Sequence, residues 1–112
     1  MASRVLVADD HPLVLHGLAS LIARNPAFVV VDLCADGRQA LAGIRRTVPD
    51  IAILDVNMPG MDGIQVLGAI NADESSTRVV LLTAAASDSQ LYDGVSLGAA
   101  GLVIKDIALD TL

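Results

Sequence analysis

Polar side chains suited to phosphoryl transfer follow four of the short apolar runs in this sequence. They are Asp9 and Asp10 after the first run, Asp55 after the third, Thr83 after the fourth and Lys105 after the fifth. A carboxylate can attack phosphorus to form an acyl phosphate, while an ammonium group and a metal ion neutralise charge on the transferring group. These residues can do this chemistry only if the fold brings them together.

Five apolar runs, separated by segments with helical spacing, are the elements that could position these residues. The runs are Arg4–Ala8, Val29–Cys34, Asp50–Leu54, Arg78–Leu82 and Gly101–Ile104. Each run is typical of a strand buried on both faces. Leu15, Leu18 and Ile22 illustrate the helical spacing between the first two runs. The alternation predicts an α/β fold, with a parallel sheet and right-handed crossover helices on both faces.

Helix boundaries are indicated by prolines and by potential capping residues. Pro12 suits the first turn of a helix, and Asn25-Pro26 and Pro49 mark breaks in the chain. Asp62 is placed to cap a helix that begins near Gly63. A fourth crossover helix is expected over Ser87–Leu97.

The predicted parallel sheet places the polar residues at one edge, because ligands of such folds bind at the carboxyl ends of the strands. Carboxylates grouped there repel one another, and a pair about 4 Å apart costs roughly 4 kcal/mol at an effective dielectric near 20. Lys105 provides part of the compensating charge, and Mg²⁺, which prefers oxygen ligands, provides the rest. We predict that Asp9 or Asp10, together with Asp55, holds the ion. The backbone carbonyl of Asn57 is the best candidate for a further ligand.

Asp55 is the best placed nucleophile among the three aspartates. It follows the apolar run Ile51–Leu54 and precedes the turn-forming segment Asn57–Gly60, so its side chain should stand at the strand tip. Phosphatases that form an aspartyl phosphate need a second carboxylate two residues further on, and Asn57 cannot act as that acid and base. We therefore expect a phosphoacceptor that is not an enzyme and at most slowly hydrolyses its own acyl phosphate.

With these residues identified, the chain resembles the receiver domain of two-component response regulators over essentially its whole length. The motifs that carry the resemblance are Asp9-Asp10, the segment Asp55 to Gly63, Thr83-Ala84 and Lys105. The resemblance implies a flavodoxin-like, doubly wound sheet of five parallel strands in the order 2-1-3-4-5. It implies that Asp55 is the phosphoacceptor, that Lys105 contacts the phosphoryl group and that Thr83 hydrogen-bonds it. Asp9 and Asp10 would help to bind Mg²⁺.

The resemblance also implies partners. A histidine kinase would supply the phosphoryl group, and an output domain absent from this chain would respond to it. The segments 8–14 and Lys105-Asp106 are most similar to the subfamily whose receivers precede a helix-turn-helix DNA-binding domain, so we expect control of transcription. A phosphorylation-dependent homodimer is a further expectation. The alternative is a receiver-like interaction module that is never phosphorylated, although the chain retains all five site residues.

Two positions depart from the family pattern. Receivers usually carry an aromatic residue three positions before the lysine, where this chain has Leu102. Many also follow the lysine with proline, where this chain has Asp106, so we expect a trans peptide after Lys105, since a non-proline cis bond costs about 3 kcal/mol. The first departure puts in question the usual coupling between an aromatic ring and the threonine.

Length, composition and charge bound the remaining expectations. A chain of 112 residues suits one domain, a receiver over residues 1–112 whose final helix, over 107–112, is incomplete. The formal charge of −6 argues against nucleic acid contacts by this domain. No apolar run approaches the roughly 20 residues of a membrane span and no secretory signal is evident, so we expect a cytoplasmic protein without membrane contact. Cys34 is expected to be a buried thiol without function.

Other interpretations of the same residues are weaker. Asp9-Asp10 alone could be a helix-capping pair. The segment from Asp55 resembles a calcium loop but fails at Pro59 and at Val66, where an acidic ligand is required. His11 and His16 do not have a metal-binding spacing and are expected to be solvated or packed side chains.

Overall fold

A computed structural model describes residues 2–83 and 101–104, and it describes side chains for residues 2–82. The strands are β1 (Ser3–Ala8), β2 (Phe28–Cys34), β3 (Ile51–Asp55), β4 (Arg78–Thr83) and β5 (Gly101–Ile104). The described helices are α1 (Pro12–Ala23), α2 (Gly37–Thr47) and α3 (Gly63–Ala72). The expected fourth helix over Ser87–Leu97, the expected final helix, and Lys105 with the peptide bond after it lie outside the described residues.

The five strands form one parallel sheet in the order β2-β1-β3-β4-β5, as the resemblance to receivers implies. Strand β1 lies between β2 and β3, so the chain turns in opposite directions after β1 and after β2. The carboxyl ends of β1 and β3 therefore flank the point where the strand order reverses, which is where α/β sheets bind ligands. The strand bounds differ from the predicted ones by at most one residue, and β3 includes Asp55 as its last residue.

The core lies on both faces of the sheet because successive strand residues point to opposite sides. On one face, Leu6 and Ala8 pack with side chains of α2 and α3 such as Ile44 and Leu67. On the other face, Val5 and Val7 pack with side chains that include Leu15 and Leu18 of α1. Both faces of a strand such as β1 are therefore buried, which explains why its apolar residues form a continuous run. None of the described helices is long and apolar enough to cross a membrane.

The predicted starts of α1 and α3 are confirmed, and a capping residue that was not predicted begins α2. Pro12 is in the first turn of α1. Asp62 caps α3 by accepting a hydrogen bond from the Gln65 amide at 2.8 Å, and the Gln65 side chain accepts from the Asp62 amide at 2.9 Å. Asp36 caps α2 in the same way, by accepting from the Gln39 amide at 2.8 Å. These caps satisfy amides that the first turn leaves without helical partners.

Cys34, the last residue of β2, is buried as predicted, with 2% of its surface exposed. Burial, followed by the negative charge of Asp32, raises the pKa of its thiol to about 12. The thiol therefore stays protonated at neutral pH, which agrees with a packing role.

Candidate functional site

Two hydrogen bonds fix Asp9 at the end of β1, one made by its amide and one by its side chain. Its amide donates to the Cys34 carbonyl at 3.0 Å, which extends the contact between β1 and β2 by one residue. Its Oδ1 atom accepts from the His11 amide at 2.8 Å. The Asp9 side chain is fully buried. A carboxylate held in this way presents its oxygens at a defined position beside β3.

Asp55 is fixed at the end of β3 by the turn that follows it. Its Oδ1 atom accepts from the Asn57 amide at 3.1 Å. The next residue, Val56, donates from its amide to the Leu82 carbonyl of β4 at 2.9 Å. Only 1% of the Asp55 side chain is exposed, which is less access than the predicted strand-tip position suggested. The side chain lies at the floor of the site, with Asn57 exposed beside it.

The structure brings the three predicted aspartates together with a histidine. Asp9, Asp10, His11 and Asp55 each offer a ligand atom, and these atoms all lie within 4.8 Å of one another. The His11 Nδ1 atom is 3.1 Å from Oδ1 of Asp9, 3.1 Å from Oδ1 of Asp10 and 4.0 Å from Oδ2 of Asp55. The predicted convergence of the aspartates is confirmed. We call these four residues the acidic site.

His11 is a site residue that the sequence did not reveal. The imidazole is solvated, as predicted, with 63% of the side chain exposed, and its Nδ1 atom also contacts two carboxylates, which was not predicted. The partners of His11 are the two residues before it in the sequence. Its position as the N-cap residue of α1 also excludes the helix-capping role for Asp9 and Asp10, because neither of them occupies that position.

The other predicted site residues are described to different extents. Thr83 is the last residue of β4 and pairs with Ile104, the last residue of β5. Asp55 pairs with Leu82, the residue before Thr83, so the Thr83 backbone lies at the same edge of the sheet. Lys105 follows Ile104 in sequence but lies outside the described residues. The Asn57 amide contacts Asp55, whereas metal binding by the Asn57 carbonyl stays a prediction.

A close backbone approach holds the start of α3 against Asp55. A Cβ atom on Gly63 would lie 2.4 Å from the Asp55 carbonyl oxygen, closer than any side chain can fit. The Gly63 amide also donates to the Val56 carbonyl at 3.2 Å. Gly63 thus supports the site through its backbone, in addition to the contacts of His11. In the sequence this is indicated only by a glycine directly after a capping aspartate.

The donor atoms of the acidic site fit a divalent cation. Asp9 and Asp55 are almost completely buried, and carboxylates that close together are costly without a neighbouring positive charge. Carboxylate oxygens suit a hard ion such as Mg²⁺, which also retains water ligands. Asp10, with about a third of its side chain exposed at 32%, borders the solvent side where those waters would lie.

The sequence matches the family of response regulator receiver domains over residues 5–112. The chain belongs to this family. The receiver domain is similar to the transcriptional regulatory protein NarL of Mycobacterium tuberculosis, with 42% identity over 103 residues, 92% of this chain and 48% of that protein. It thus spans about half the length of the curated relatives it matches.

Solved structures have the same fold as this receiver domain. The signal receiver domain of NarL from M. tuberculosis matches with a TM-score of 0.90 and 41% identity, covering 94% of this chain and 85% of that one. A CheX–CheY complex with BeF3⁻ and Mg²⁺ from Borrelia burgdorferi matches with a TM-score of 0.83 and 27% identity, covering 96% and 84%. The receiver domain is thus a signalling module of a two-component response regulator.

Proposed function

We propose that this receiver domain is a switch that accepts a phosphoryl group on Asp55 from a histidine kinase. The observation that carries the proposal is the position of Asp55, which ends β3 within 4.8 Å of the donor atoms of Asp9 and Asp10. In this proposal Asp9, Asp10, Asp55 and the Asn57 carbonyl hold Mg²⁺. The relative from B. burgdorferi, whose complex contains BeF3⁻ and Mg²⁺, supports the choice of ion.

The chemistry assigned to Asp55 is nucleophilic displacement at phosphorus. A carboxylate oxygen of Asp55 forms a bond to phosphorus as the bond from phosphorus to the kinase histidine nitrogen breaks, and the electron pair leaves with the imidazole. Bound Mg²⁺ would neutralise charge on the phosphoryl oxygens. Lys105 supplies further positive charge, and Thr83 hydrogen-bonds the phosphoryl group after transfer.

The same residues give slow turnover at most. Hydrolysis of the acyl phosphate needs a group that activates water, and position 57 holds a neutral amide where a phosphatase would have a carboxylate. We therefore propose a phosphoacceptor whose only reaction after transfer is slow hydrolysis of its own acyl phosphate.

The proposed output is control of transcription. The curated relatives are about twice as long as this chain, and the name of the M. tuberculosis relative identifies a transcriptional regulator. We propose that the intact protein carries a helix-turn-helix DNA-binding domain, that phosphorylation promotes a homodimer and that the protein acts in the cytoplasm, where its target DNA lies. The receiver domain itself, with a charge of −6, would make no DNA contact.

A labelling experiment with matched variants tests the proposal. The wild type, Asp55→Asn and Asp50→Asn are incubated with radiolabelled acetyl phosphate, with and without Mg²⁺. Asp50 lies at the opposite end of β3, where its Oδ2 atom accepts from the Arg4 amide at 2.7 Å, so it controls for loss of an aspartate. We expect Mg²⁺-dependent labelling of the wild type and Asp50→Asn alone. An unlabelled wild type would favour the interaction module, and equal labelling of Asp55→Asn would exclude Asp55 as the acceptor.

A further inference from the structure

Strand β2 contributes no residue to the acidic site, yet its last residue contacts Asp9 and the start of the next helix contacts the loop after Asp55. The Cys34 carbonyl accepts the hydrogen bond from the Asp9 amide at 3.0 Å. Three residues further on, Gly37 begins α2 and lies against Met61, in the loop between Asp55 and α3. The β2–α2 connection therefore lies between Asp9 and the loop that follows Asp55.

The contact between Gly37 and Met61 leaves no room for a side chain. A Cβ atom on Gly37 would lie 1.8 Å from the Met61 carbonyl oxygen, 2.6 Å from its carbonyl carbon and 2.9 Å from its Cβ atom. The first two are backbone atoms, which no change of rotamer can move aside. Any residue other than glycine would have to displace either α2 or the loop.

Hydrogen bonds hold the start of α2, so we expect a side chain at position 37 to displace the loop. Asp36 accepts from the Gln39 amide at 2.8 Å, and the Gln39 side chain accepts in turn from the Ala35 amide at 3.0 Å. The Ala40 amide donates to the Asp36 carbonyl at 3.0 Å, as the first helical hydrogen bond. These bonds fix Gly37 relative to the end of β2.

The loop between Asp55 and α3 is short and has contacts at both of its ends. A displacement of Met61 would therefore be passed on toward the acidic site. The Met61 amide donates to the Pro59 carbonyl at 2.9 Å, and the Met61 side chain packs against the core. On one side the loop reaches Asn57, whose amide contacts Asp55 at 3.1 Å. On the other side it reaches Asp62, the cap of α3. A shift at Met61 can thus reach Asp55 in two directions, through Asn57 or through Asp62 and Gly63.

We propose that Gly37 is a positioning residue for the phosphoacceptor loop, and that it sets the Mg²⁺ affinity and phosphorylation rate through its contact with Met61. The proposal rests on the proposed function of Asp55. Supporting residues around a metal site commonly alter affinity by about 10- to 100-fold, and a misplacement of about 1 Å can slow a reaction by about 100-fold. Gly37 itself touches neither the metal position nor the phosphoryl group.

A second glycine of the same helix provides the matched control. A Cβ atom on Gly43 would lie 2.6 Å from Oδ2 of Asp32 and 2.9 Å from Cδ1 of Leu6, which are side-chain atoms remote from the loop. Gly37→Ala and Gly43→Ala both introduce a methyl group at a tight point of α2. Only Gly37→Ala displaces the loop, so a purely structural role would give the two variants similar properties.

The experiment measures Mg²⁺ affinity by calorimetry, backbone amide shifts of residues 56–62 other than Pro59 by NMR, and the labelling rate with acetyl phosphate. We expect Gly37→Ala to bind Mg²⁺ at least about tenfold more weakly and to shift the loop amides, with Gly43→Ala within about twofold of the wild type. If Gly37→Ala does not fold in buffer alone, the wild type and both variants are all measured with trimethylamine N-oxide, an excluded osmolyte that favours the folded chain. Equal Mg²⁺ affinities of Gly37→Ala and Gly43→Ala would overturn the inference.

The readouts separate this inference from the proposed function. Mg²⁺ affinity and amide shifts need no phosphoryl donor. If the wild type takes no label while Gly37→Ala loses Mg²⁺ affinity, the proposed function fails and the positioning role stands for the metal. If the wild type is labelled and Gly37→Ala is labelled at the rate of Gly43→Ala, the positioning role fails and the proposed function stands.

Discussion

The Nδ1 atom of His11 lies 3.1 Å from Oδ1 of Asp9, so an imidazole nitrogen joins the oxygen donors of the acidic site. Two cis ligands of an octahedral ion with bonds of about 2.1 Å are about 3.0 Å apart, which is close to this separation. The same separation is that of a hydrogen bond between the imidazole and the carboxylate, so His11 either holds the Asp9 side chain or joins it as a metal ligand. An imidazole increases affinity for later transition metals more than for Mg²⁺.

The first prediction concerns this imidazole. His11→Ala should lower the Ni²⁺ affinity of the chain several-fold while changing the Mg²⁺ affinity little, because Mg²⁺ gains little from a nitrogen donor. Calorimetric titrations with each ion measure both constants. His16→Ala, an exposed histidine of α1, serves as the control. Parallel losses for Ni²⁺ and Mg²⁺ would mean that His11 acts on the aspartates and does not bind the ion.

The second prediction concerns stabilisation by Mg²⁺. An ion that binds only the folded chain adds about 2.7 kcal/mol to the free energy of unfolding at 100 times its dissociation constant. The free energy of unfolding of the wild type should therefore rise with Mg²⁺ concentration, and that of Asp9→Asn should rise much less. Urea unfolding over a Mg²⁺ series measures this dependence. Asp50→Asn should behave as the wild type, and a full Mg²⁺ response in Asp9→Asn would remove Asp9 from the ligand set.

The third prediction compares two glycines of α3. Gly63→Ala should lower the free energy of unfolding by about 2–3 kcal/mol, because its methyl group would meet the Asp55 carbonyl. Gly68→Ala should raise it by about 0.5–1 kcal/mol, since no atom of the described residues lies within 4 Å of a Cβ at that position. Chemical denaturation measures both. Similar losses in the two variants would contradict the close approach at Asp55.

The fourth prediction concerns strain at the end of α2. Val48 caps this helix with a φ of 44°, in the left-handed region that β-branched residues rarely adopt. It is 54% exposed, so little packing is lost on substitution. Val48→Asn should raise the free energy of unfolding by about 1 kcal/mol. Val29→Asn, at a half-exposed valine of β2, should lower it, and a loss of stability in both variants would refute strain at Val48.

The fifth prediction concerns the Cys34 thiol. Its pKa rises from 9.0 in the unfolded chain to about 12 in the folded chain, so only the unfolded thiol loses its proton as the pH passes 9. The stability linked to this thiol is complete below pH 9 and declines between pH 9 and about 12. The unfolding free energy of Cys34→Ala should fall less steeply across this window. Identical slopes for variant and wild type would contradict the raised pKa.

The sequence was sufficient to predict the five strands and the aspartates at their ends, because apolar runs of strand length dominate its pattern. The order of the strands came from the resemblance to receivers, since periodicity carries no information on which strands are neighbours. The roles of His11 and Gly37 were not predictable. The contacts of His11 depend on the turn after β1. The contact of Gly37 depends on its close approach to Met61, which has no counterpart in the hydrophobic periodicity of the sequence. The helix caps are only partly predictable, because the sequence predicts the cap at Asp62, whereas the cap at Asp36 is seen only in the structure.

The most direct test of the central claim is to locate the phosphoryl group within the chain. The chain is phosphorylated with phosphoramidate in the presence of Mg²⁺, the acyl phosphate is reduced with borohydride, and the product is sequenced by mass spectrometry. Reduction of an aspartyl phosphate leaves homoserine at the modified position. The proposed mechanism predicts homoserine at position 55 in the wild type, and homoserine at position 9 or 10, with Asp55 intact, would contradict it.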